Sequence, residues 1–290
     1  MKKVLTIFIL PNEIQQYEYL INSIQKDIDK FGLKDFYIDC TLSVSNQMVN
    51  WKESTISKEE IVNAFNSINK NKVGTFTVDE TEEIMGCVSK RRETYLKYQN
   101  DSIVNIWLDP DWIFPEGTFY IFDNAINELV KQQEYFILTP QMIKMWDDSW
   151  NPITHPNFIH KPTNYRVLPE YDPHKDKGIY GEVSLVELPK FLFKFGGGWG
   201  TVISTKLLNK IGIPQSFGHY GEEDSFVMTA SSMLVKGGLD VKQYVLNNVV
   251  SALDYSPKLE DIVQYDRRKE FRKIAQQNFN NEIQGVINDN

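Results

Sequence analysis

Two aspartates separated by one proline, Asp109 and Asp111, are the residues whose types and spacing best suit metal chemistry. They follow the apolar run 102–108, which has the composition of a buried strand. In open α/β sheets ligands bind at the carboxyl ends of strands, and two carboxylates there suit Mg²⁺ or Mn²⁺ holding a diphosphate. The alternative is a polar turn. A second Asp-x-Asp, Asp27 and Asp29, falls within a predicted helix, where we expect a solvated face.

A second acidic cluster, Glu222, Glu223 and Asp224, begins a predicted helix after a turn that contains glycine. A carboxylate crowded by other carboxylates has a raised pKa, which suits a general base at the mouth of a cleft. The alternative is structural, because acids in the first turn stabilise a helix by about 0.3–1 kcal/mol through its dipole. The cluster by itself supports both interpretations.

The glycine-rich turn 196–200 contains Gly197, Gly198 and Trp199. Glycines allow a backbone to approach a ligand closely, and a Trp ring offers a flat face to a sugar. A flexible turn with a buried Trp explains the same residues. The turn alone therefore favours neither interpretation.

Strands and helices alternate four times in the first 140 residues, which predicts βαβ units on a parallel sheet. We predict one α/β domain. The predicted strands are 4–10, 36–44, 74–78, 102–108, 134–139 and 241–250, and the predicted helices are 14–31, 57–68, 80–98, 117–132, 204–211, 222–234 and 261–279. Residues 146–180 interrupt the pattern with five prolines and three histidines. A loop of this length is usually functional, and the spacing of its histidines matches no zinc site.

The 290 residues include 41% hydrophobic side chains and carry a formal net charge of −8. The composition is that of a globular protein, and the acidic balance argues against binding to nucleic acid. No apolar run reaches the length of about 18 residues that a membrane span needs. The opening MKKVLTIFIL runs into Pro11 without a small-residue cleavage site. We therefore expect a buried first strand and a cytoplasmic protein with Cys40 and Cys87 reduced; the oligomeric state stays open.

The predicted terminal helix carries five basic residues, Arg267, Arg268, Lys269, Arg272 and Lys273. Such a run is usually a solvated face, which is our expectation here. The alternatives are peripheral contact with a membrane surface or contact with an anionic glycan carrier.

The order of these features resembles that of the GT-A glycosyltransferases, chiefly the family 2 type and the β-galactosyltransferase-like C-terminal segment. WLDPDWIFP is similar to that family's Asp-x-Asp strand end. GGGWGTVISTKLLNKIGIPQSFGHYGEEDSF is similar to its stretch from the acceptor-side glycine turn to the Glu-Asp motif. The resemblance implies a GT-A type, Rossmann-like α/β fold with a mixed, mostly parallel sheet flanked by helices.

The resemblance also implies an activity, that of a metal-dependent glycosyltransferase of the hexosyltransferase kind. Such an enzyme moves a sugar from a nucleotide-sugar donor, most often a UDP-sugar, to a hydroxyl of a glycan or other acceptor, with Mn²⁺ or Mg²⁺. Asp111 would bind the metal, and Asp109 would bind the metal through water or lie near the ribose. Asp224, or else Glu223, would deprotonate the acceptor in a single displacement that inverts the sugar.

The donor-binding residues that the resemblance implies are Pro11, Asp39, Arg92, Asp109, Gly197, Gly198 and Trp199. Arg92, or Arg91 beside it, would contact the nucleotide, and Asp39 would bind uracil. The sequence departs from the family pattern twice. Residues 39–43 (DCTLS) replace the usual Asp-Asp-Gly-Ser turn, and no histidine follows His219, so another group such as Asp254, or water, would complete a metal shell.

The implied organisation is a nucleotide-binding half (1–140), an acceptor and catalytic half (141–250) and a C-terminal helical extension (251–290). The segment 146–180, which contains Trp146 and Trp150, would be a lid or acceptor wall. Two other functions compete. A nucleotidyltransferase on a related sheet usually has glycine and basic residues after its first strand, which PNEIQ lacks. A non-catalytic carbohydrate-binding protein would not need both acidic motifs, and both are present.

Overall fold

The computed structural model describes residues 1–81, 85–143, 178–192, 195–253, 259–260 and 262–289. The strands are β1 (Lys2–Ile9), β2 (Phe36–Ser43), β3 (Gly74–Asp79), β4 (Ser102–Leu108), β5 (Trp112–Ile113), β6 (Tyr135–Ile143), β7 (Gly178–Glu187), β8 (Trp199–Ser204) and β9 (Val241–Leu253). The helices are α1 (Ile14–Phe31), α2 (Lys58–Asn69), α3 (Cys87–Tyr98), α4 (Thr118–Gln132), α5 (Thr205–Ile211), α6 (Glu223–Lys236) and α7 (Tyr265–Asp289).

All nine of these strands belong to one sheet, in the order β3-β2-β1-β4-β8-β6-β9-β5, with β7 also paired to β9. The pairs β1–β2, β1–β4, β2–β3 and β6–β9 are parallel. Strand β8 runs antiparallel to both β4 and β6, and β5 and β7 run antiparallel to β9. Six of the nine strands therefore point the same way, which confirms the predicted mixed, mostly parallel sheet.

Apolar cores cover both faces of the sheet because consecutive strand side chains point to opposite sides. On β8, Val202 packs into one core and Ile203 into the other. The first core includes residues of α1, α2 and α4, and the second includes residues of α3, α5, α6 and α7. Burial on both faces explains why β1 and β4 read as continuous apolar runs in the sequence.

Several predictions differ from the structure: strands β5, β7 and β8 were not predicted, β9 extends to Leu253, and the last helix is Tyr265–Asp289 and not 261–279. The helix predicted over 80–98 begins only at Cys87, because Gly86 is extended and its amide and carbonyl groups bond the Ser89 hydroxyl. Strand β7 was not predicted, since its first residues fall in the segment 146–180 and its exposed edge lacks an apolar run. Trp146, Trp150, the three histidines of that segment and Asp254 lie outside the described residues.

The second Asp-x-Asp is not a solvated face, because Asp27 is buried while Asp29 is exposed. The Asp27 carboxylate accepts the backbone N–H groups of Gly117 (2.8 Å) and Phe119 (3.0 Å) at the start of α4. The first amides of a helix have no partner within it. Asp27 therefore caps a helix that is distant in sequence, and helical periodicity alone gave no sign of that contact.

Asp27→Ala should lower the free energy of unfolding by about 2 kcal/mol, because it removes a cap and leaves two buried N–H groups unpaired. Asp29→Ala is the matched control: its exposed carboxylate accepts a bond from Gln25, and the change should stay below about 0.5 kcal/mol. Urea unfolding of the three proteins measures both. Equal losses in the two variants would contradict the capping role.

Candidate active site

The glycine-rich turn fixes the end of β4. The Asp109 N–H donates to the Gly198 carbonyl oxygen at 2.7 Å. A Cβ at Gly198 would overlap the Asp109 carboxylate, and a Cβ at Gly197 would overlap the Trp199 ring. These two glycines therefore allow the backbone to pack closely against the side chains of Asp109 and Trp199. This packing holds both side chains in place.

Trp199 is a fixed wall of the site. It is buried, and its indole N–H donates to the Thr139 hydroxyl at 2.8 Å. Its ring centroid lies 6.0 Å from that of Trp112, which follows Asp111 directly. Because the indole is already held in place, a ligand can pack against it without the entropy cost of ordering a free side chain.

Arg91 of α3 joins the two acidic motifs. Its guanidinium donates to Asp109 Oδ1 at 2.9 Å and to Glu223 Oε1 in a shorter contact. It also lies 4.7 Å from the centroid of the Trp107 ring. The Arg91 side chain is buried, and a buried charge is tolerated only when it is paired. The ion pairs therefore lock the end of β4 to the start of α6.

The three adjacent acids at the start of α6 have three different environments. Glu222 has a φ of 70°, and its carboxylate accepts bonds from Arg272 Nε (2.8 Å) and Gln276 Nε2 (2.9 Å). Glu223 is only 3% exposed and pairs with Arg91. Asp224 is half-buried, with one oxygen on the following backbone N–H at 2.6 Å. Glu222 lies before the helix, and the helix turns Glu223 and Asp224 in different directions.

Glu223 and Asp224, the two inner acids of the cluster, bind protons more tightly than ordinary carboxylates do. Burial raises the pKa of Glu223 to about 6; Arg91 opposes the rise, and Asp224 and Asp109 add to it. Burial likewise raises the pKa of Asp224. The charge of Arg91 lowers that pKa, and the charges of Asp109 and Glu222 raise it further. The sequence predicted raised values from crowding, but burial is the larger cause.

A cavity of about 420 Å³ opens at the carboxyl end of β4. Its volume is in the usual range for a small-molecule site. It brings together both acidic motifs and the glycine-rich turn, and the predicted residues that line it are Asp109, Asp111, Gly197, Gly198, Trp199, Glu223 and Asp224.

Arg92 lies outside the cavity lining, and Arg91 takes its place there. The Arg92 guanidinium donates to the carbonyl oxygens of Gly218 (2.7 Å) and Ile213 (3.3 Å) and to Gln215 Oε1 (3.1 Å). Successive helical residues point in different directions, so the two arginines of α3 serve different neighbours. Arg92 braces the loop that leads into α6.

Asp39 and Pro11 also lie outside that lining. The buried Asp39 carboxylate pairs with Lys90 (a short contact) and Lys97 (3.0 Å), which ties β2 to α3. Burial would raise its pKa, but the two ammonium groups hold the pKa of Asp39 below its ordinary value. Pro11 is buried in a single 3-10 turn, and Glu13 at the end of that turn does line the cavity.

Asp109 and Asp111 are the side chains best placed to hold a divalent cation. Within the described ranges, no group of three or more His, Cys, Asp or Glu side chains is arranged as a metal site. Mg²⁺ is commonly held by one or two carboxylates together with substrate phosphates. The pair at the end of β4 fits that kind of site, although one Asp109 oxygen already meets Arg91.

The cavity contains residues that the sequence analysis did not select, namely Glu13, Tyr220, Arg268 and Arg272. Arg272 is exposed, as expected of a solvated face, although it lies at the edge of the cavity and pairs with Glu222, whereas Arg268 is half-buried in the lining. Their spacing of four positions places them on one side of the helix, a signal that was available. Which side faces the cavity depends on how α7 docks.

No protein-family model matches the chain, and no curated protein matches it significantly. Among solved structures, it is similar to S. aureus TarS 1–349 in complex with UDP, with a TM-score of 0.52 and 16% identity, over 89% of this chain and 61% of that one. A second structure of S. aureus TarS 1–349 (TM-score 0.48, 16% identity, 100% and 70% covered) and a mycobacterial protein (0.45, 12%, 88% and 68%) are also similar.

These comparisons concern the fold. The chain spans 61% of the length of the TarS chain in the UDP complex. The shared architecture is a GT-A type of α/β fold, as the resemblance implied. In the part of the chain that the structure describes, no helix is long and apolar enough to cross a membrane.

Arg91→Leu should lower the free energy of unfolding by about 3 kcal/mol near pH 8, because it leaves the Glu223 and Asp109 carboxylates without their cation. The pKa of Glu223 is raised by folding, so its ionisation costs stability at high pH and the cost vanishes at low pH. The deficit should therefore shrink toward about pH 5. Urea unfolding at both pH values measures it. A deficit independent of pH would contradict the electrostatic cause.

Proposed function

We propose that this protein is a glycosyltransferase that moves a sugar from a nucleotide-sugar donor, of the UDP type, to an acceptor hydroxyl. The observation that carries the proposal is the cavity that joins the Asp109–Asp111 pair at the end of β4 to the Glu223–Asp224 pair at the start of α6. The GT-A type fold supports the class of reaction. The TarS structure of similar fold is a complex with UDP, which supports the choice of nucleotide.

Asp109 and Asp111 would hold Mn²⁺ or Mg²⁺ together with the donor diphosphate. A divalent cation bound there supplies positive charge to the departing nucleoside diphosphate. Arg91 keeps Asp109 in position, and Gly198 leaves the space in which that carboxylate lies. Trp199 and Trp112 form a rigid wall beside the donor.

Asp224 is the better base of the two inner acids. Glu223 is buried and paired with Arg91, which leaves it a positioning role. Asp224 lines the cavity, is half-buried and has a raised pKa. In the proposed step the acceptor oxygen forms a bond to the anomeric carbon, the bond from that carbon to the diphosphate oxygen breaks, and the acceptor proton moves to Asp224. A single displacement of this kind inverts the anomeric carbon.

Calorimetry with UDP, GDP, CDP and ADP, with and without Mn²⁺, tests the donor site. We expect one nucleotide, UDP, to bind in a metal-dependent manner, and Asp111→Ala to weaken it by at least about tenfold. Asp29→Ala, which removes an exposed carboxylate from the other Asp-x-Asp, should bind like the wild type. If binding ignored both the metal and Asp111, the metal site would be wrong and a carbohydrate-binding protein would become the better proposal.

Donor hydrolysis, in which water is the acceptor, tests the base. Asp224→Asn should leave UDP affinity within about twofold and lower kcat by about 10²–10⁴-fold. A base must be ionised, and burial raises the pKa of both acids, to about 6 for Glu223. The wild-type rate should therefore rise with pH, with a midpoint above the ordinary pKa of an aspartate, and then level off. A rate that Asp224→Asn leaves unchanged would remove Asp224 from the reaction.

A further inference from the structure

Helix α7 docks directly onto the element that carries the acidic pair. The Glu222 carboxylate accepts bonds from Arg272 Nε at 2.8 Å and Gln276 Nε2 at 2.9 Å. A Cβ at Gly221, which has a φ of 85°, would lie 3.0 Å from Arg272 Cγ, so glycine there gives the helix room to approach. Further along the helix, Phe279 stacks on Phe217 at 6.0 Å. These contacts set the rotation of α7 about its axis.

That rotation turns Arg268 and Arg272 toward the cavity. The Arg268 guanidinium lies 4.2 Å from the centroid of the Tyr220 ring, and Tyr220 is itself part of the lining. Lys269, the next residue, points away, with 79% of its side chain exposed and a 3.0 Å pair to Asp266. The basic run of α7 therefore has a cavity side and a solvent side.

The three arginines that line the cavity have different partners. Arg91 is buried between Glu223 and Asp109, and Arg272 pairs with Glu222. The Arg268 guanidinium carbon lies 4.2 Å from the centroid of the Tyr220 ring. The planar guanidinium of an arginine presents its N–H groups in a fixed fork that matches phosphate oxygens.

Arg268 also lies close to the acidic side chains of the site. The Cys87 thiol lies 3.9 Å from Glu223 Oε1. Burial raises the pKa of Cys87; the charges of Glu223 and Asp109 add to the rise, while those of Arg91 and Arg268 oppose it. Arg268 is thus within electrostatic reach of the same thiol as Asp109.

We infer that Arg268 binds the diphosphate of the nucleotide and stabilises it as it departs, with Arg272 as the residue that positions α7. This inference rests on the proposed function. A strongly anionic diphosphate at the end of β4 would face six carboxylates in the cavity lining. Five belong to the two acidic motifs, and the sixth is that of Glu13. A cation in the same lining offsets that repulsion and would add to the charge of a bound metal ion.

The test is calorimetry with UDP and uridine in the presence of Mn²⁺, on the full chain. Arg268→Gln should weaken UDP by about tenfold to a hundredfold, the usual cost of losing a charge-assisted bond, and should leave uridine unchanged. Arg268→Lys should recover part of the loss. Lys269→Gln removes the same charge from the solvent side of the helix and should bind both ligands like the wild type.

Two results would overturn the inference. One is a UDP affinity of Arg268→Gln within about twofold of the wild type. The other is an equal loss for UDP and uridine, which would mean that the side chain supports the fold and not the diphosphate. Failure of the wild type itself to bind any nucleotide would instead remove the proposed function together with this inference. The two failures are therefore distinguishable.

Discussion

The buried guanidinium of Arg91 is the interaction on which the arrangement of the site depends. It pairs with Asp109 at the end of β4 and with Glu223 at the start of α6, two points far apart in the sequence. A cation held away from water needs its carboxylates, and the buried Glu223 carboxylate in turn needs the cation. The mutual requirement fixes the distance between the proposed donor and acceptor sides of the cavity.

The cavity lining contains more acidic than basic side chains, and the acidic side chains have different partners in the fold. Arg91 neutralises Glu223, Arg272 holds Glu222, and Asp224 keeps a half-buried position in the cavity with a raised pKa. Glu222 precedes the helix in a left-handed conformation, and Glu223 and Asp224 point in different directions because they are successive residues of a helix. A run of three acids can therefore contain an anchor, a positioning group and a proposed base.

The C-terminal helix belongs to the site and is not an appendage. Its basic side chains would be interchangeable on an isolated helix, yet Arg272 pairs with Glu222 at the start of α6 while Lys269 pairs with Asp266 of its own helix. Docking through Glu222 and the Phe217–Phe279 stack makes that difference. The α7 helix thus supplies charge to a cavity whose other walls come from β4, α3 and the start of α6.

The sequence by itself determined the alternating elements, the mostly parallel sheet and the positions of both acidic motifs, because apolar periodicity and strand ends are local patterns. It selected Asp109 over Asp27 by its place after a strand, but it did not reveal the helix cap that Asp27 forms, and it did not distinguish Arg91 from Arg92 or Arg268 from Lys269. Residues of like chemistry in similar local patterns cannot be told apart by sequence, so only packing decides which one meets a distant partner. Asp27 meets a helix end, Arg91 meets two carboxylates, and Arg268 lines the cavity. Tertiary structure decides these cases because burial and charge pairing are properties of the folded neighbourhood.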